Sequence, residues 1–204
     1  IRSLDFYPQF NIASEEYFFK EFDNDIIFLY RNLPSIIIGK HQNAYKEVNL
    51  GFIRENSIPI VRRISGGGAV YHDLGNLNFA FIKNKTDENL SDFVGFTLPV
   101  LNFLNELGIP AKFEGHNDLR VNGKKFSGNA EHIFKNLVLH HGTLLFDANL
   151  DNLRNSLHIS DKYIDHAVKS VPSSVINLSE VIKNKISIEE FEYLLVEFLF
   201  KEYS

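Results

Sequence analysis

Apolar residues recur along this chain at two spacings, every three to four residues and every second residue, and the switches between them mark out the elements. In residues 11–22, Ile12, Tyr17, Phe18 and Phe22 fit one buried side of a helix, with Asn11 at the N-cap position and Glu15 and Glu16 in the early turns. Two short apolar runs follow, 26–30 and 35–39. The turn residues Asn32-Leu33-Pro34 lie between them, which is the pattern of two strands paired across a turn. Residues 41–57 are mixed and predict one or two short helices; 58–63 predict a strand, and further strands flank Leu74-Gly75-Asn76.

The clearest helix covers 91–108. Phe93, Phe96, Val100, Leu101, Leu104 and Leu107 repeat at helical spacing, Ser91 is placed to cap the start, and Gly108 with Pro110 ends it. Strand character returns at 111–114, 118–121, 125–127 and 137–146, and Asn122-Gly123 is the strongest hairpin signal in the chain. Helical pieces follow at 150–157, 178–182 and 188–203, the last opening with Ser187 and Glu190 in capping-box spacing. Strands broken by helices, with hairpin turns, predict an α+β domain of mixed, largely antiparallel sheets flanked by helices.

Composition narrows the function without naming it. At 204 residues, 44% hydrophobic and 23% charged, the chain suits one soluble globular core, and no linker or repeat divides it. A formal net charge of −5 argues against general binding to nucleic acid or to an anionic membrane, so any anion held here must meet a local cluster of Arg and Lys. No apolar run is long enough to span a bilayer, and residues 1–9 lack the regions of a signal peptide, so the expected location is cytoplasmic. With no cysteine in these residues, disulfides, cysteine metal sites and a thiol nucleophile are excluded from them.

Three stretches could carry chemistry. In the first, Arg62 and Arg63 deliver the chain to Ser65-Gly66-Gly67-Gly68, after which Ala69-Val70-Tyr71 leave as a strand. Consecutive glycines let backbone N–H groups approach a ligand closely, and the arginines suggest an anionic one. A tight turn would also explain the glycines. The loop is neither a Walker loop, which needs Gly-Lys followed by Ser or Thr, nor a dinucleotide fingerprint, which needs a following helix. His72 and Asp73 suit a polar turn as well as an acid/base or metal pair.

In the second stretch, a hairpin at Asn122-Gly123 brings Asn117 and Asp118 beside Lys125, Ser127, Gly128 and Ala130. Lys124 belongs to the turn, and Lys125 precedes small residues that leave room for a ligand; an exposed basic turn is the competing reading. In the third, Leu139-His140-His141-Gly142-Thr143, strand alternation sends the histidines to opposite faces, so at most one of them faces a site. Paired histidines without a third ligand are weak evidence for zinc.

Taken together, the phrases 62–78 (RRISGGGAVYHDLGNLN), 117–119 (NDL), 125–130 (KFSGNA) and 140–145 (HHGTLL) resemble the lipoate-protein ligase A family, in the same order and at matching spacing. Phe10-Asn11-Ile12-Ala13 with Glu15-Glu16, and Ile38-Gly39-Lys40 with Gln42-Asn43, also look like that family. The resemblance implies the mixed α/β catalytic fold shared with biotin protein ligases. It also implies a two-step reaction: lipoate and ATP give lipoyl-AMP and pyrophosphate, and a lysine ε-amine of an acceptor domain then displaces AMP. Such acceptors are the E2 subunits of 2-oxoacid dehydrogenases and the glycine cleavage H protein.

By the same resemblance, Lys125 is the essential cation. Arg63 contacts the adenylate beside the backbone of Gly66, Gly67 and Gly68; Asn76 and Asn117 bond phosphate or nucleotide groups; Asp118 holds a magnesium ion; His72 and His141 line the pocket; and Ser65, Ser127, Gly128 and Ala130 belong to the binding set. Neighbouring Phe and Ile residues would supply a slot for the alkyl chain. Two departures stand out. Where many relatives have Gly-Arg-Asn-Asp this chain has His116, and where they have a second arginine-rich phrase it has Ser170-Val171-Pro172-Ser173-Ser174-Val175. The expected organisation is a large catalytic domain over 1–204 without the small C-terminal domain, whose role a separate small protein could fill. Alternatives are a lipoyl-AMP-binding module without catalysis, and a transferase without its own activation step, which the absence of cysteine disfavours.

Overall fold

Strand β5 (Asn76–Asn84) is buried from Asn76 to Ile82, and its alternation generates the layers of the fold. Leu77, Phe79 and Phe81 face one core, while Ala80 and Ile82 face another. The computed structural model describes residues 1–85, 90–157 and 167–203. A six-stranded antiparallel sheet runs in the order β1 (Ile26–Arg31), β5, β9 (Leu137–Leu145), β8 (Lys124–Phe134), β7 (Asp118–Val121) and β6 (Lys112–Glu114).

On one face of this sheet, α4 (Phe93–Glu106) and α6 (Ile188–Tyr203) contribute Phe96, Val100, Leu104, Phe191 and Leu195 to the larger core. On the other face, α1 (Pro8–Glu21) contributes Ile12 and Phe19. A second sheet of three strands, β3 (Ile60–Arg62), β2 (Ser35–Ile38) and β4 (Val70–His72), stands beside α1. Its β2–β3 pair is parallel and its β2–β4 pair antiparallel, so the expectation of mixed, largely antiparallel sheets flanked by helices holds. Short helices α2 (Ala44–Glu47), α3 (Leu50–Glu55) and α5 (Leu150–Ser156) complete this layer.

Four local expectations change. The runs 26–30 and 35–39 do not pair with each other: β1 joins β5 in one sheet, and β2 is central in the other. The residues between them are a crossover, because Asn32 is fully buried and its side chain ties Asn11 to His72. Helix α1 begins three residues earlier than Asn11, with Pro8 in its first turn, and Asn11 is an internal buried residue rather than a cap. Asp92 caps α4 by accepting from Gly95 N at 2.9 Å, whereas Ser91 donates to Glu131 Oε2 at 2.7 Å. Strand β8 continues to Phe134, well beyond the expected 125–127, because Gly128 and Asn129 hide its strand character in the sequence.

The turn between β7 and β8 follows the sequence directly: Asn122 and Gly123 have φ of 51° and 74°, the left-handed pair that a two-residue hairpin needs. Beyond it lies a β-bulge. Asp118 pairs with Gly128 and Arg120 with Lys125, so β8 carries one residue more than β7 over this interval.

Candidate active site

A cleft of about 470 Å³ opens between the two sheets, and the bulge decides which lysine enters it. Strict alternation from Gly128 would bring Lys124 to the cleft side; with the extra residue, Phe126 turns into the core and Lys125 borders the cleft. Lys125 Nζ lies 2.7 Å from Asp118 Oδ1, and Arg120 Nη2 lies 2.8 Å from Asp118 Oδ2. A Cβ at position 128 would sit 3.0 Å from Lys125 Nζ, so glycine there leaves the ammonium its place. Arg120 also donates to Ser173 Oγ at 3.1 Å. Lys125 and Arg120 give this end positive charge in a chain of net charge −5, and His116 borders the cleft next to Asn117 and Asp118.

The opposite end is organised by Arg63, which is almost wholly buried. Its guanidinium donates to Ser65 Oγ (2.9 Å), Ile37 O (3.1 Å), Gly66 O (2.6 Å) and Gly68 O (2.7 Å), and so it holds the glycine loop by its carbonyls. Burial lowers its pKa to about 10, which leaves it cationic at neutral pH. From Ser65 the network runs on: Ser65 Oγ is 2.6 Å from His141 Nε2, His141 Nδ1 is 2.8 Å from Glu15 Oε2, and Tyr30 OH donates to Glu15 Oε1 at 3.0 Å. Burial next to this carboxylate raises the Tyr30 pKa well above 10, so the hydroxyl keeps its proton.

Serine, histidine and glutamate stand here in the order of a hydrolase relay. Ser65, however, is fully buried, does not border the cleft and accepts the Arg63 Nε–H. It is a strut, and no acyl group can reach it.

Most of the residues singled out in the sequence meet at this cleft. Arg63, Gly67, Gly68, His72 and His141 border the apolar end; Asn117, Asp118, Lys125, Gly128 and Ala130 border the rest. Ser65, Gly66, Asn76 and Ser127 do not border it. Asn76 is fully buried and donates to Asn78 Oδ1 at 2.8 Å, and it is Asn78 that reaches the cleft. The apolar side chains Ile12, Ile37 and Val70 border the cleft where an alkyl slot is expected, and no phenylalanine among the described residues borders it. His140 and His141 do face opposite sides: His140 is fully buried, stacked on Phe96 and 3.0 Å from Glu131.

Sequence reasoning overlooked Glu15, Tyr30, Asn78, Arg120 and Lys169. Glu15 carried a signal, since it shares a helix face with Ile12 and Phe19 at i, i+3 and i+7, and a carboxylate on a buried stripe is exceptional. The serine-rich phrase also has a place. Residues 168–173 run along the cleft, where Ser170 Oγ accepts from Ala69 N at 2.8 Å, and Lys125 N donates to Ser174 O at 2.9 Å. A cation is kept on this stretch at Lys169.

The family profile of the lipoyl protein ligase A/B catalytic domain matches residues 7–200. The chain belongs to this family. Among curated relatives it is 45% identical over 196 residues to the lipoate-protein ligase LplJ of Bacillus subtilis, an alignment covering 95% of this chain and 59% of LplJ. The chain thus spans about three fifths of the length of the curated relatives it matches. A crystal structure of P. falciparum LipL1 in complex with lipoate superposes with a TM-score of 0.85 at 35% identity, covering 99% of this chain and 61% of LipL1. A lipoate-protein ligase A bound with ATP superposes with a TM-score of 0.80 at 30% identity, covering 93% of this chain and 78% of that one. The two-sheet architecture is therefore that of the lipoyl ligase catalytic domain, and no helix among the described residues is long and apolar enough to cross a membrane.

Proposed function

We propose that residues 1–204 form the catalytic domain of a lipoate-protein ligase, which joins lipoate to ATP and then passes the lipoyl group to a lysine of an acceptor domain. The observation that carries this reading is the division of one cleft into an apolar slot and a cationic end, with Lys125 on the cationic side. An acid with an alkyl tail and a nucleoside triphosphate present these two chemistries, and family relatives captured with lipoate and with ATP support it.

In the first step a carboxylate oxygen of lipoate attacks the α-phosphorus of ATP, and pyrophosphate leaves. Two anions must approach each other, so fixed positive charge has to offset their repulsion. Lys125 would bridge the carboxylate and the α-phosphate, with Arg120, which shares Asp118 with it, beside it. Gly67 and Gly68 bring backbone close to the acyl-adenylate, while Arg63 holds their loop in shape. Asn117 stands at the nucleotide end.

In the second step the acceptor lysine, as free amine, attacks the acyl carbonyl; the amide forms, AMP leaves and the amine gives up a proton. Acceptors of this class are lipoyl domains such as those of 2-oxoacid dehydrogenase E2 subunits and the glycine cleavage H protein. A separate small accessory protein is a further candidate partner.

Asp118 is the candidate magnesium ligand. Both of its oxygens are held by Lys125 and Arg120, so it would accept a metal only once phosphate offers those cations another partner. On that condition the ion would supply charge neutralisation at the phosphates.

Lipoate-dependent exchange of labelled pyrophosphate into ATP tests the first step, and transfer from pre-made lipoyl-AMP to a lipoyl domain tests the second. Both activities are expected. Transfer without exchange would mean that activation needs a further part, and tight lipoyl-AMP binding with neither activity would overturn the enzyme reading in favour of a binding module.

A further inference from the structure

Two opposite charges are buried at the apolar end of the cleft, and side chains of other residues stand between them. Arg63 is 6% exposed and borders the cleft, whereas Glu15 is 1% exposed and does not. Glu15 sits on α1 between Ile12 and Phe19, both of which belong to a hydrophobic core. Burying a carboxylate in such a place costs stability, and an apolar side chain of similar volume would often serve the fold as well or better. Stability alone does not account for it.

The hydrogen bonds that join the two charges have a fixed direction. A guanidinium can only donate and a carboxylate can only accept, so the protons point from Arg63 towards Glu15. Arg63 Nε donates to Ser65 Oγ at 2.9 Å, and among the described residues the hydroxyl proton of Ser65 has one acceptor, His141 Nε2 at 2.6 Å. The ring therefore accepts at Nε2 and carries its proton on Nδ1, which donates to Glu15 Oε2 at 2.8 Å. Tyr30 OH donates to the other carboxylate oxygen, Oε1, at 3.0 Å. Donors aligned head to tail between a cation and an anion polarise one another, so a buried chain of this kind holds its members more firmly than separate bonds would. The Glu15 charge also favours the Arg63 cation, opposing the burial that lowers its pKa.

At the other end of the relay, Arg63 Nη2 grips two carbonyls of the glycine loop, Gly66 O at 2.6 Å and Gly68 O at 2.7 Å. The guanidinium is planar and rigid, so the atom that ties Nε also sets the plane in which Nη2 meets those carbonyls. Gly67, at a φ of 85°, and Gly68 both border the cleft. We propose that Glu15 is a positioning residue for the ligase reaction, acting through His141 and Ser65 on the plane of the Arg63 guanidinium and so on the Gly67–Gly68 backbone along the cleft. This rests on the lipoate-protein ligase reading. It adds to that reading a role for helix α1, whose carboxylate works from behind the site.

NMR and exchange kinetics test the assignment together. With isotopically labelled histidine, the parent protein should show the His141 proton on Nδ1 and a bare Nε2; a proton on Nε2 overturns the proposal whether or not any variant folds. Glu15→Gln keeps the shape of the side chain and removes its charge. It should lower kcat of lipoate-dependent pyrophosphate exchange by roughly 10–10²-fold, the scale of a small misplacement at a reacting centre, while KM for ATP moves by less than about twofold. Ser65→Ala cuts the same relay in the middle and should cost about as much, and the double variant should be no slower than the slower single one, because residues that act as a unit do not add. Additive losses overturn the proposal. So does a Glu15→Gln protein whose kcat is unchanged, or whose only change is in KM for lipoate, which would make Glu15 part of the slot wall. If the parent protein transfers from lipoyl-AMP without exchange, the same comparison is made on transfer. A parent protein with neither activity overturns the ligase reading and this role with it, whereas activity that survives undiminished in Glu15→Gln overturns this role alone.

Discussion

Lys125 Nζ and Asp118 Oδ1 are 2.7 Å apart on neighbouring strands, and the β-bulge between Gly128 and Lys125 is what lets them face each other. Lys125 keeps a quarter of its side chain exposed, so the carboxylate holds the ammonium at the cleft without sequestering it. A phosphate arriving there would exchange one anionic partner for another, with little desolvation of the cation. On the ligase reading the pair would be a preorganised anion site with a resident counter-ion.

Replacing Lys125 by Ala should lower lipoate-dependent pyrophosphate exchange by roughly 10²–10³-fold, the usual loss for one preorganised donor at developing charge. Stability should change little, because the group is partly exposed and surface pairs contribute on the order of 0–1 kcal/mol. Exchange kinetics and a urea melt on the same preparation check both halves. Unchanged exchange would mean that the site is misassigned.

Arg63→Lys should destabilise the fold by about 2–4 kcal/mol even though charge is kept. One ammonium cannot serve Ser65 Oγ together with the carbonyls of Ile37, Gly66 and Gly68, of which the first is buried and the other two part-buried. Chemical denaturation of the variant measures this. A loss below about 0.5 kcal/mol, the range of a neutral surface change, would show that the loop does not depend on the guanidinium fork.

The outline of the fold was legible because periodicity and turn chemistry are local. The Asn122-Gly123 hairpin, the 91–108 helix and the capped terminal helix all followed from short-range rules, and the separated motifs converged on one cleft because each lies at the edge of a regular element. Strand partnership was not legible. Nothing in 26–39 says that β1 and β2 enter different sheets, since that choice rests on the buried Asn11–Asn32–His72 bridge, whose members are up to 61 residues apart. Alternation alone would also have chosen Lys124 over Lys125; the bulge that reverses this depends on Phe126 filling the core. Asn76 misled for a related reason, because a polar residue inside a recognised phrase can serve the network behind the site rather than the site itself.

Gly39 and Gly66 should respond oppositely to alanine. A Cβ on Gly39 would lie 2.3 Å from Gly67 O, a backbone atom that cannot step aside, whereas a Cβ on Gly66 meets nothing within 4 Å. Gly39→Ala is therefore expected to cost about 1–3 kcal/mol through overpacking, and Gly66→Ala within about 0.5 kcal/mol. Thermal melts of the two variants side by side decide the point. Equal shifts would mean that Gly67 does not rest against Gly39.

Acid should destabilise the protein in part through His72, and the sign follows from its burial. Desolvation, with Arg63 and His141 adding to it, lowers its pKa from the ordinary 6.5 to about 3 in the folded chain. Above pH 6.5 neither the folded nor the unfolded chain binds this proton, so stability from His72 is fully present and flat. Between pH 6.5 and about 3 the unfolded chain binds it and the folded chain does not, so stability falls as pH falls, by up to about 1.4 kcal/mol per unit. Burial lowers His132 and His140 too, in the same direction, while burial raises Asp73, which acts the opposite way. The difference between the parent protein and His72→Gln isolates the single proton. From pH 6.5 to 5 the parent should lose about 1.6 kcal/mol more than the variant in unfolding free energy. Equal losses would mean that His72 takes up its proton in the folded chain.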